Sequence, residues 1–443
     1  MKEHVDRLIA RHFQSRDGEL NIGGVPVGEI AGRYGTPVFI HDRHVLDRKW
    51  DLLRQALPSD FDICYSVKAN PNPAIVGHFL FKGAGLEIAS TGEFHIALRA
   101  GCPPDRIMFA GPGKTENELE AVLSGGIGEI HAESGREVER IGAISRRLGV
   151  KARVAVRINP GEEAQGGAMR MGGKPSPFGV DEGGLDPVLD LFATTDSIEF
   201  NGIHLFTGTQ ILDHTTLLRQ YRQGLDIARK VWKKVKRSLP VVDFGGGLGI
   251  PYYVNEKELD LDGFREGLLL MMAEIQGEEP FRGTRFVVEP GRFLVGESGV
   301  YLTRINDIKV SRGKKYVVVD GGMNHHLAAS GNLGQVIRKN FPLAIANKLG
   351  EEPREVVDVA GPLCTPLDVL ARDVSLPRPE IGDLVVIFQS GAYARTASPL
   401  GFLSHPTPAE VLAFDGNVRL IRRPGNYDDL FRDIPLDSES IAE

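Results

Sequence analysis

Between residues 62 and 295, short apolar runs rich in β-branched residues alternate with longer segments in which apolar residues recur at i, i+3 and i+4. The short runs are DICYSVK (62–68), GLEIAS (85–90), RIMFAG (106–111), IGEIHAES (127–134), RVAVRINP (153–160), EFNGIHLFTG (199–208), VVDFGGGLGI (241–250) and RFVVEPGRFLV (285–295). The helical segments between them include PAIVGHFLFKG, TGEFHIALRAG, TENELEAVLSGG, GREVERIGAISRRLG and HTTLLRQYRQGLDIARKVWKKVK, several of them stopped by glycine. Eight strand-helix repeats over about 230 residues predict an α/β fold, a (β/α)8 TIM-type barrel. From about residue 293 the helical spacing gives way to VYLTRINDIKVS, KKYVVVDGG, REVVDVAG, DLVVIFQSG and EVLAFDGNVRLIRRP, which predict a C-terminal mainly-β domain. Near the start, LNIGGVPV reads as two short strands about a Gly-Gly turn belonging to the same sheet. The predicted division is a barrel over 46–292 and a β domain made of 1–45 and 293–443, with the first dozen residues and the tail after about 430 weakly ordered.

A barrel of this kind carries its chemistry at the C-terminal ends of its strands. Two of those ends run into glycine, at Gly245-Gly246-Gly247 and at Glu289-Pro290-Gly291-Arg292. A lone glycine triplet ordinarily marks a tight turn. After the seventh and eighth strands, however, bare backbone N–H groups and one guanidinium make a phosphate site. The first strand ends in YSVKANPNP, which sets Lys68 at the same rim. An isolated lysine at a strand end is usually solvated, whereas an inward-pointing, partly desolvated one offers a neutral amine for imine formation. An amine, a phosphate cradle and a carboxylate at Glu289 together meet the requirements of pyridoxal 5'-phosphate.

In order along nearly the whole chain, YSVKAN, RINP, GTQ, GGGLG, EPGR, GPLC and SGAY resemble the fold-type III pyridoxal-phosphate decarboxylases that include diaminopimelate and ornithine decarboxylase. The resemblance implies an alanine racemase-like barrel followed by the decarboxylase β-sandwich. It implies that Lys68 carries the cofactor covalently and that Glu289 pairs with the pyridine nitrogen. Thr209, Gly246, Gly247, Gly291, Arg292 and Tyr393 would surround the cofactor's phosphate end. Cys364 would act as the catalytic proton donor, reaching in from the partner subunit of a homodimer with shared active sites.

Departures from the family pattern bear on the substrate. Phe206 stands where the family's histidine stacks on the cofactor ring, and an aromatic still stacks without donating a hydrogen bond. His204, two residues earlier, is either support for the cofactor pocket or a satisfied core histidine. Thr365 follows Cys364 where relatives carry an acid that grips a distal amine. In VDGGMNHHLAAS, His325 and His326 replace the arginine-containing segment that grips a distal carboxylate. A metal is not expected there, because adjacent strand residues face opposite ways and no third ligand is suitably spaced; one of the two histidines is expected to line the pocket.

These features resemble a divergent branch of the family, alongside the decarboxylase of butirosin biosynthesis that acts on L-glutamate tethered to an acyl carrier protein. The implied reaction is α-decarboxylation of an L-amino acid or amino-acid-derived substrate, carrier-bound or distally masked. Diaminopimelate decarboxylation, amino-acid racemisation and a non-catalytic regulatory role are the alternatives. Racemases of this fold pair the pyridine nitrogen with arginine rather than glutamate, and a regulatory protein has no need of Lys68, Glu289, Arg292 and Cys364 together. The glycine-rich EEAQGGAMRMGGKPS (162–176) reads either as a mobile lip or as a plain surface excursion.

Composition narrows the partners. With 443 residues, 42% hydrophobic and 25% charged, the chain is long enough for two domains. A net charge of −7 with no basic cluster beyond KKVKR (233–237) argues against nucleic acid. Cys64, Cys102 and Cys364 are too few and scattered for a disulfide framework. Without a signal-peptide pattern or a long apolar run, no membrane association is expected and the cytoplasm is the expected compartment.

Overall fold

The computed structural model describes residues 1–434 apart from 162–168, 171–174, 207, 334, 336 and 337. It divides into two compact units, one comprising Arg48–Pro251 and Lys257–Leu294, the other Met1–Asp47, Tyr252–Glu256 and Val295–Glu443.

In the first unit the eight apolar runs become strands β1 (Phe61–Ser66), β2 (Gly85–Ile88), β3 (Ile107–Phe109), β4 (Glu129–Ala132), β5 (Ala152–Asn159), β6 (Ile198–Leu205), β7 (Val241–Asp243) and β8 (Arg285–Val288). Neighbours are parallel in the order β5-β6-β7-β8-β1-β2-β3-β4, and pairing of β4 with β5 closes the ring. The helices between strands begin at side-chain caps. Ser90 and Ser134 each accept the N–H of the residue three along, and Thr115 and Glu118 cap reciprocally. Gly149 ends its helix with φ of 68°.

Alternation along these strands decides what lies inside. A strand covered on both faces by parallel-barrel packing usually reads as a continuous apolar run. Here Leu86 and Ile88 flank Glu87, Ile130 and Ala132 alternate with Glu129 and His131, and Ile203 and Leu205 flank His204, all of them buried. Since successive side chains point to opposite faces, one face of each such strand is apolar and the other carries ionisable groups.

The second unit is built on a nine-stranded sheet. Its main path runs Val369–Leu376, Glu355–Ala360, Lys314–Val319, Gly299–Ser311, Val38–Asp42, Ala409–Phe414, Asn417–Arg422. Every C-terminal run predicted as strand contributes to it, joined by Val38–Asp42, a wholly buried strand that the sequence reading did not single out. Two expectations are corrected. LNIGGVPV does form two strands, Glu19–Ile22 and Val25–Pro26, but they make a separate three-stranded sheet with Gln14–Arg16. A β-carbon on Gly23 would lie 2.5 Å from the Ala413 carbonyl carbon, so the turn packs against that strand instead of pairing along an edge. The first dozen residues form the helix Lys2–His12, which buries Val5, Leu8 and Ile9 at helical spacing against the core of the large sheet. The tail is described as far as the short turn Tyr427–Phe431 and residue 434. Among the described residues no helix is long and apolar enough to cross a membrane.

β6 carries a bulge between Phe200 and Gly202, and a bulge re-aims the residues that follow it. Gly202 has φ of 145°, and a β-carbon there would lie 1.9 Å from the Val241 carbonyl oxygen. Gly202→Ala should therefore push β6 from β7 and cost at least about 2 kcal/mol. Urea unfolding checks this: a clearly lowered midpoint is expected, and an unchanged midpoint would mean that the bulge accommodates a side chain.

Candidate active site

The ends of β6, β7, β8 and β1 meet at one place because glycine lets them. Glu289 N–H donates to Gly245 O at 2.8 Å, and Gly245 N–H donates to Asp243 Oδ1 at 2.8 Å. A β-carbon on Gly245 would lie 2.3 Å from Leu205 O, one on Gly246 2.6 Å from Glu289 O, and one on Gly291 2.9 Å from Ala69 Cβ. Gly245 and Gly247 also have φ of 69° and 105°, where only glycine is unstrained. Ile211 N–H donates to Gly247 O at 2.9 Å and Ser66 N–H to Pro290 O at 3.2 Å, so four strand ends are tied together. Thr209 sits in the short strand Gly208–Thr209, and Arg292 opens the helical turn Arg292–Val295. Side-chain-free backbone beside a guanidinium is a cradle for an anion.

Lys68 is not on a strand. β1 ends at Ser66, and the lysine lies in the 3-10 turn Val67–Ala69. The Tyr65 hydroxyl, donating to Asn70 O at 2.9 Å, folds the chain over before the Asn-Pro segment. The side chain is 41% exposed, and its Nζ lies 3.0 and 2.9 Å from the two carboxylate oxygens of Glu87. The expected desolvated amine is thus a rim lysine paired with a buried carboxylate, which also accepts from Ser66 Oγ.

Lys68 and Glu87 open onto a cavity of about 410 Å³ that is also lined by Arg157, His204, Phe206 and Glu289, a volume suited to a small cofactor. Arg157 Nη1 lies 2.8 Å from Glu133 Oε1, and its guanidinium sits 5.0 Å from the Phe178 ring centre and 5.9 Å from that of Phe206. Burial works against the Glu133 charge, but Arg157 and Lys114 outweigh it and hold the carboxyl below its usual range. His204 is buried with Nε2 3.2 Å from Glu289 Oε2. Burial, reinforced by the neighbouring His131, holds its basicity well below the usual imidazole value, so at neutral pH it is an uncharged donor to Glu289. His204 is buried and also lines the cavity, and its Nδ1 has no hydrogen-bond partner among the described residues. Glu289 Oε1 is buried with no hydrogen-bond partner among the described residues.

In the other unit, the Asp368 carboxylate accepts from Met323 N at 2.7 Å and Leu363 N at 2.8 Å. β-Carbons on Gly322 and Gly361 would lie 2.4 and 2.2 Å from its oxygens. VDGGM and GPLC are thereby clamped about one carboxylate, leaving Cys364 exposed with Thr365 beside it. Tyr393 has φ of 58°, a conformation uncommon for a bulky residue and often found at functional sites. His325 and His326 lie in turns, so strand alternation does not apply to them. Both are buried. His325 contacts Tyr301 Oη at 3.1 Å and Pro406 O at 3.2 Å; His326 contacts Ser390 Oγ at 2.9 Å and accepts from Ala329 N at 3.2 Å. Burial pushes them down to about 4 and about 3, so they are neutral groups with both ring nitrogens occupied. The 162–176 loop falls almost wholly outside the described residues.

Lys68, His204, Phe206 and Glu289 thus share one cavity in the barrel unit, and Cys364 and Thr365 share one loop in the other. Sequence reasoning missed Glu87, Arg157 and His131. The available signal was a charged or histidine residue at the inward position of an otherwise apolar strand.

A closed parallel barrel with a rim lysine, a glycine-built anion cradle and an orphaned buried carboxylate oxygen fits pyridoxal phosphate: covalent anchor, phosphate seat and acceptor for the ring N–H. Residues 43–296 match the sequence family described as "Pyridoxal-dependent decarboxylase, pyridoxal binding domain", and the chain belongs to that family. It is 37% identical over 414 residues to the L-glutamyl-[BtrI acyl-carrier protein] decarboxylase of Niallia circulans, covering 93% of this chain and 96% of that one. It is 32% identical over 421 residues to the diaminopimelate decarboxylase of Aquifex aeolicus, covering 94% and 96%. Its fold is similar to the crystal structure of diaminopimelate decarboxylase from M. jannaschii with L-lysine, at a TM-score of 0.89 and 27% identity over 97% of this chain and 99% of that one. The protein is a pyridoxal-phosphate-dependent decarboxylase.

Proposed function

We propose that the enzyme removes the α-carboxylate of an L-amino-acid unit whose far end is masked or carried on an acyl carrier protein, working as a homodimer in which Cys364 serves the partner subunit's site. The observation that carries the substrate reading is the loss of charged clamps. Thr365 stands after Cys364, and His325 and His326 are neutral and consumed by internal hydrogen bonds. A buried polar site rejects substrates that leave its groups unpaired, and a site without such groups has no grip on a free charged tail. The likeness to a relative named for a carrier-bound glutamyl substrate supports the same reading.

When bound, the cofactor supplies the electron sink that accepts the electron pair of the breaking C–C bond. This chain's residues do the rest. Lys68 anchors the cofactor, and Glu87, 2.9 Å from its Nζ, receives and steadies the amine. Glu289 holds a proton at the ring nitrogen, and His204 fixes the carboxylate from behind at 3.2 Å. Phe206 would offer the cofactor an apolar face and Thr209, Gly246, Gly247, Gly291 and Arg292 would seat its phosphate, with Tyr393 a further candidate phosphate contact. Carbon dioxide leaves the α-carbon and a proton from Cys364 replaces it, so the product is the amine.

Carbon dioxide release from a panel of free and carrier-loaded amino acids tests the substrate. Turnover is expected with a carrier-loaded or distally masked amino acid, with meso-diaminopimelate, lysine and ornithine poor. A kcat/KM for free meso-diaminopimelate of about 10⁴ M⁻¹s⁻¹ or more would overturn this and make the enzyme a diaminopimelate decarboxylase with an unusual clamp.

Subunit mixing tests the assembly. Inactive Lys68→Ala and inactive Cys364→Ala chains should regenerate up to about a quarter of wild-type activity through hybrid dimers under random exchange. Absence of recovery despite verified exchange would put Cys364 in its own subunit's site or outside catalysis.

A further inference from the structure

Glu289 clusters with two other buried carboxylates inside the barrel. Glu129, Asp243 and Glu289 are 2%, 0% and 5% exposed, and the imidazoles of His131 and His204 stack among them with ring centres 4.2 Å apart and planes 25° apart. Uncompensated charge at such depth costs several kcal/mol per ion, so the cluster has to balance internally. Glu129 Oε1 lies 2.8 Å from His131 Nε2, and the opposite ring nitrogen, Nδ1, lies 3.9 Å from Glu289 Oε1. Asp243 Oδ2 is 4.0 Å from His131 Nε2, and His204 Nε2 is 3.2 Å from the second oxygen of Glu289.

Two stacked imidazoles this close do not both take up a proton, and the short Glu129 contact favours charge on His131. His204 is correspondingly driven neutral, by burial first and then by His131. Asp243 is pushed well above the usual carboxyl range, by burial first and then by the Glu289 charge, so it keeps its proton. Among the described residues, other groups around the cluster are neutral or already paired. From β1, the Cys64 thiol is raised by burial and stays neutral. On the cavity side Lys68 is paired with Glu87 and Arg157 with Glu133; Arg285 acts on Glu129.

His131, His204, Asp243 and Glu289 also bring donor atoms within 4.8 Å of one another. A metal is the weaker explanation, because rings stacked at 25° aim their in-plane lone pairs side by side, whereas a tetrahedral centre needs them to converge.

We propose that His131 is a positioning residue for the decarboxylase, its imidazolium anchored by Glu129 and supplying the buried positive charge that keeps Glu289 ionised, while neutral His204 fixes the direction of that carboxylate. This rests on the reading that Glu289 serves the cofactor's ring nitrogen. Glu129 and His131 occupy alternate positions of EIHA on β4, so both point into the barrel beneath Glu289.

The test is nitrogen NMR on full-length holoenzyme carrying ¹⁵N-histidine and ¹⁵N-labelled cofactor, with His131→Asn and His204→Asn proteins assigning the signals. At about pH 8, well above the ordinary imidazole range, His131 is expected to carry protons on both ring nitrogens and His204 on Nε2 alone. A neutral His131 overturns the inference. The cofactor's ring nitrogen in the same spectrum keeps the two ideas apart: an unprotonated ring nitrogen with a charged His131 counts against the role of Glu289 and not against the charge on His131. Glu129→Gln, which keeps an acceptor but removes the anchoring charge, should lower kcat about tenfold with KM changed less than about twofold. Unchanged kcat in folded Glu129→Gln protein also overturns the inference.

Discussion

A carboxylate held out of water at the end of β8 is the constraint from which the rest of the barrel site follows. For Glu289 to sit there its N–H must reach Gly245 O, and its own carbonyl fills the space that a side chain at residue 246 would need. The same crowding forbids a β-carbon at Gly245 and Gly291, so the residues that free the backbone to cradle an anion are the ones that place the carboxylate. Anion seat and buried acid are one construction. Close packing leaves neither free to move without the other.

Burial also dictates what surrounds the acid. A charge in that position survives only with compensation nearby, which explains why the inward faces of β2, β4, β5, β6 and β7 carry Glu87, Glu129, His131, Arg157, His204 and Asp243 where a structural barrel would carry branched apolar residues. Those residues make the interior an electrostatic device. The β unit divides its labour differently: the Asp368 carboxylate, accepting from Met323 N and Leu363 N, ties VDGGM to the segment bearing Cys364.

Much of this was legible along the chain. Short apolar, β-branched runs and i, i+3, i+4 spacing predicted the eight strands and the helices between them, whose ends carry caps and glycines. Lys68 and Glu289 stood out because each follows an apolar run beside glycine or proline. Partners were not legible. Lys68, in the turn after β1, meets Glu87 on β2, and His131 meets Glu289 across the barrel interior, at separations that no local rule encodes. The helix Lys2–His12 lies where the sequence predicts weak order, and its stability comes from the tertiary core against which Val5, Leu8 and Ile9 pack. His325 and His326 are buried with internal partners that no local pattern in the sequence specifies.

The proposed role of Glu289 is electronic: a buried carboxylate serving the cofactor's ring nitrogen. Glu289→Gln keeps the shape and the contact with His204 while removing the charge, so steady-state turnover of this variant, with cofactor occupancy read from its visible absorbance, is the most direct test. Turnover is expected to fall more than about tenfold, equivalent to a barrier increase above about 1.4 kcal/mol, with the cofactor still bound. Wild-type turnover by fully occupied Glu289→Gln protein would contradict that role.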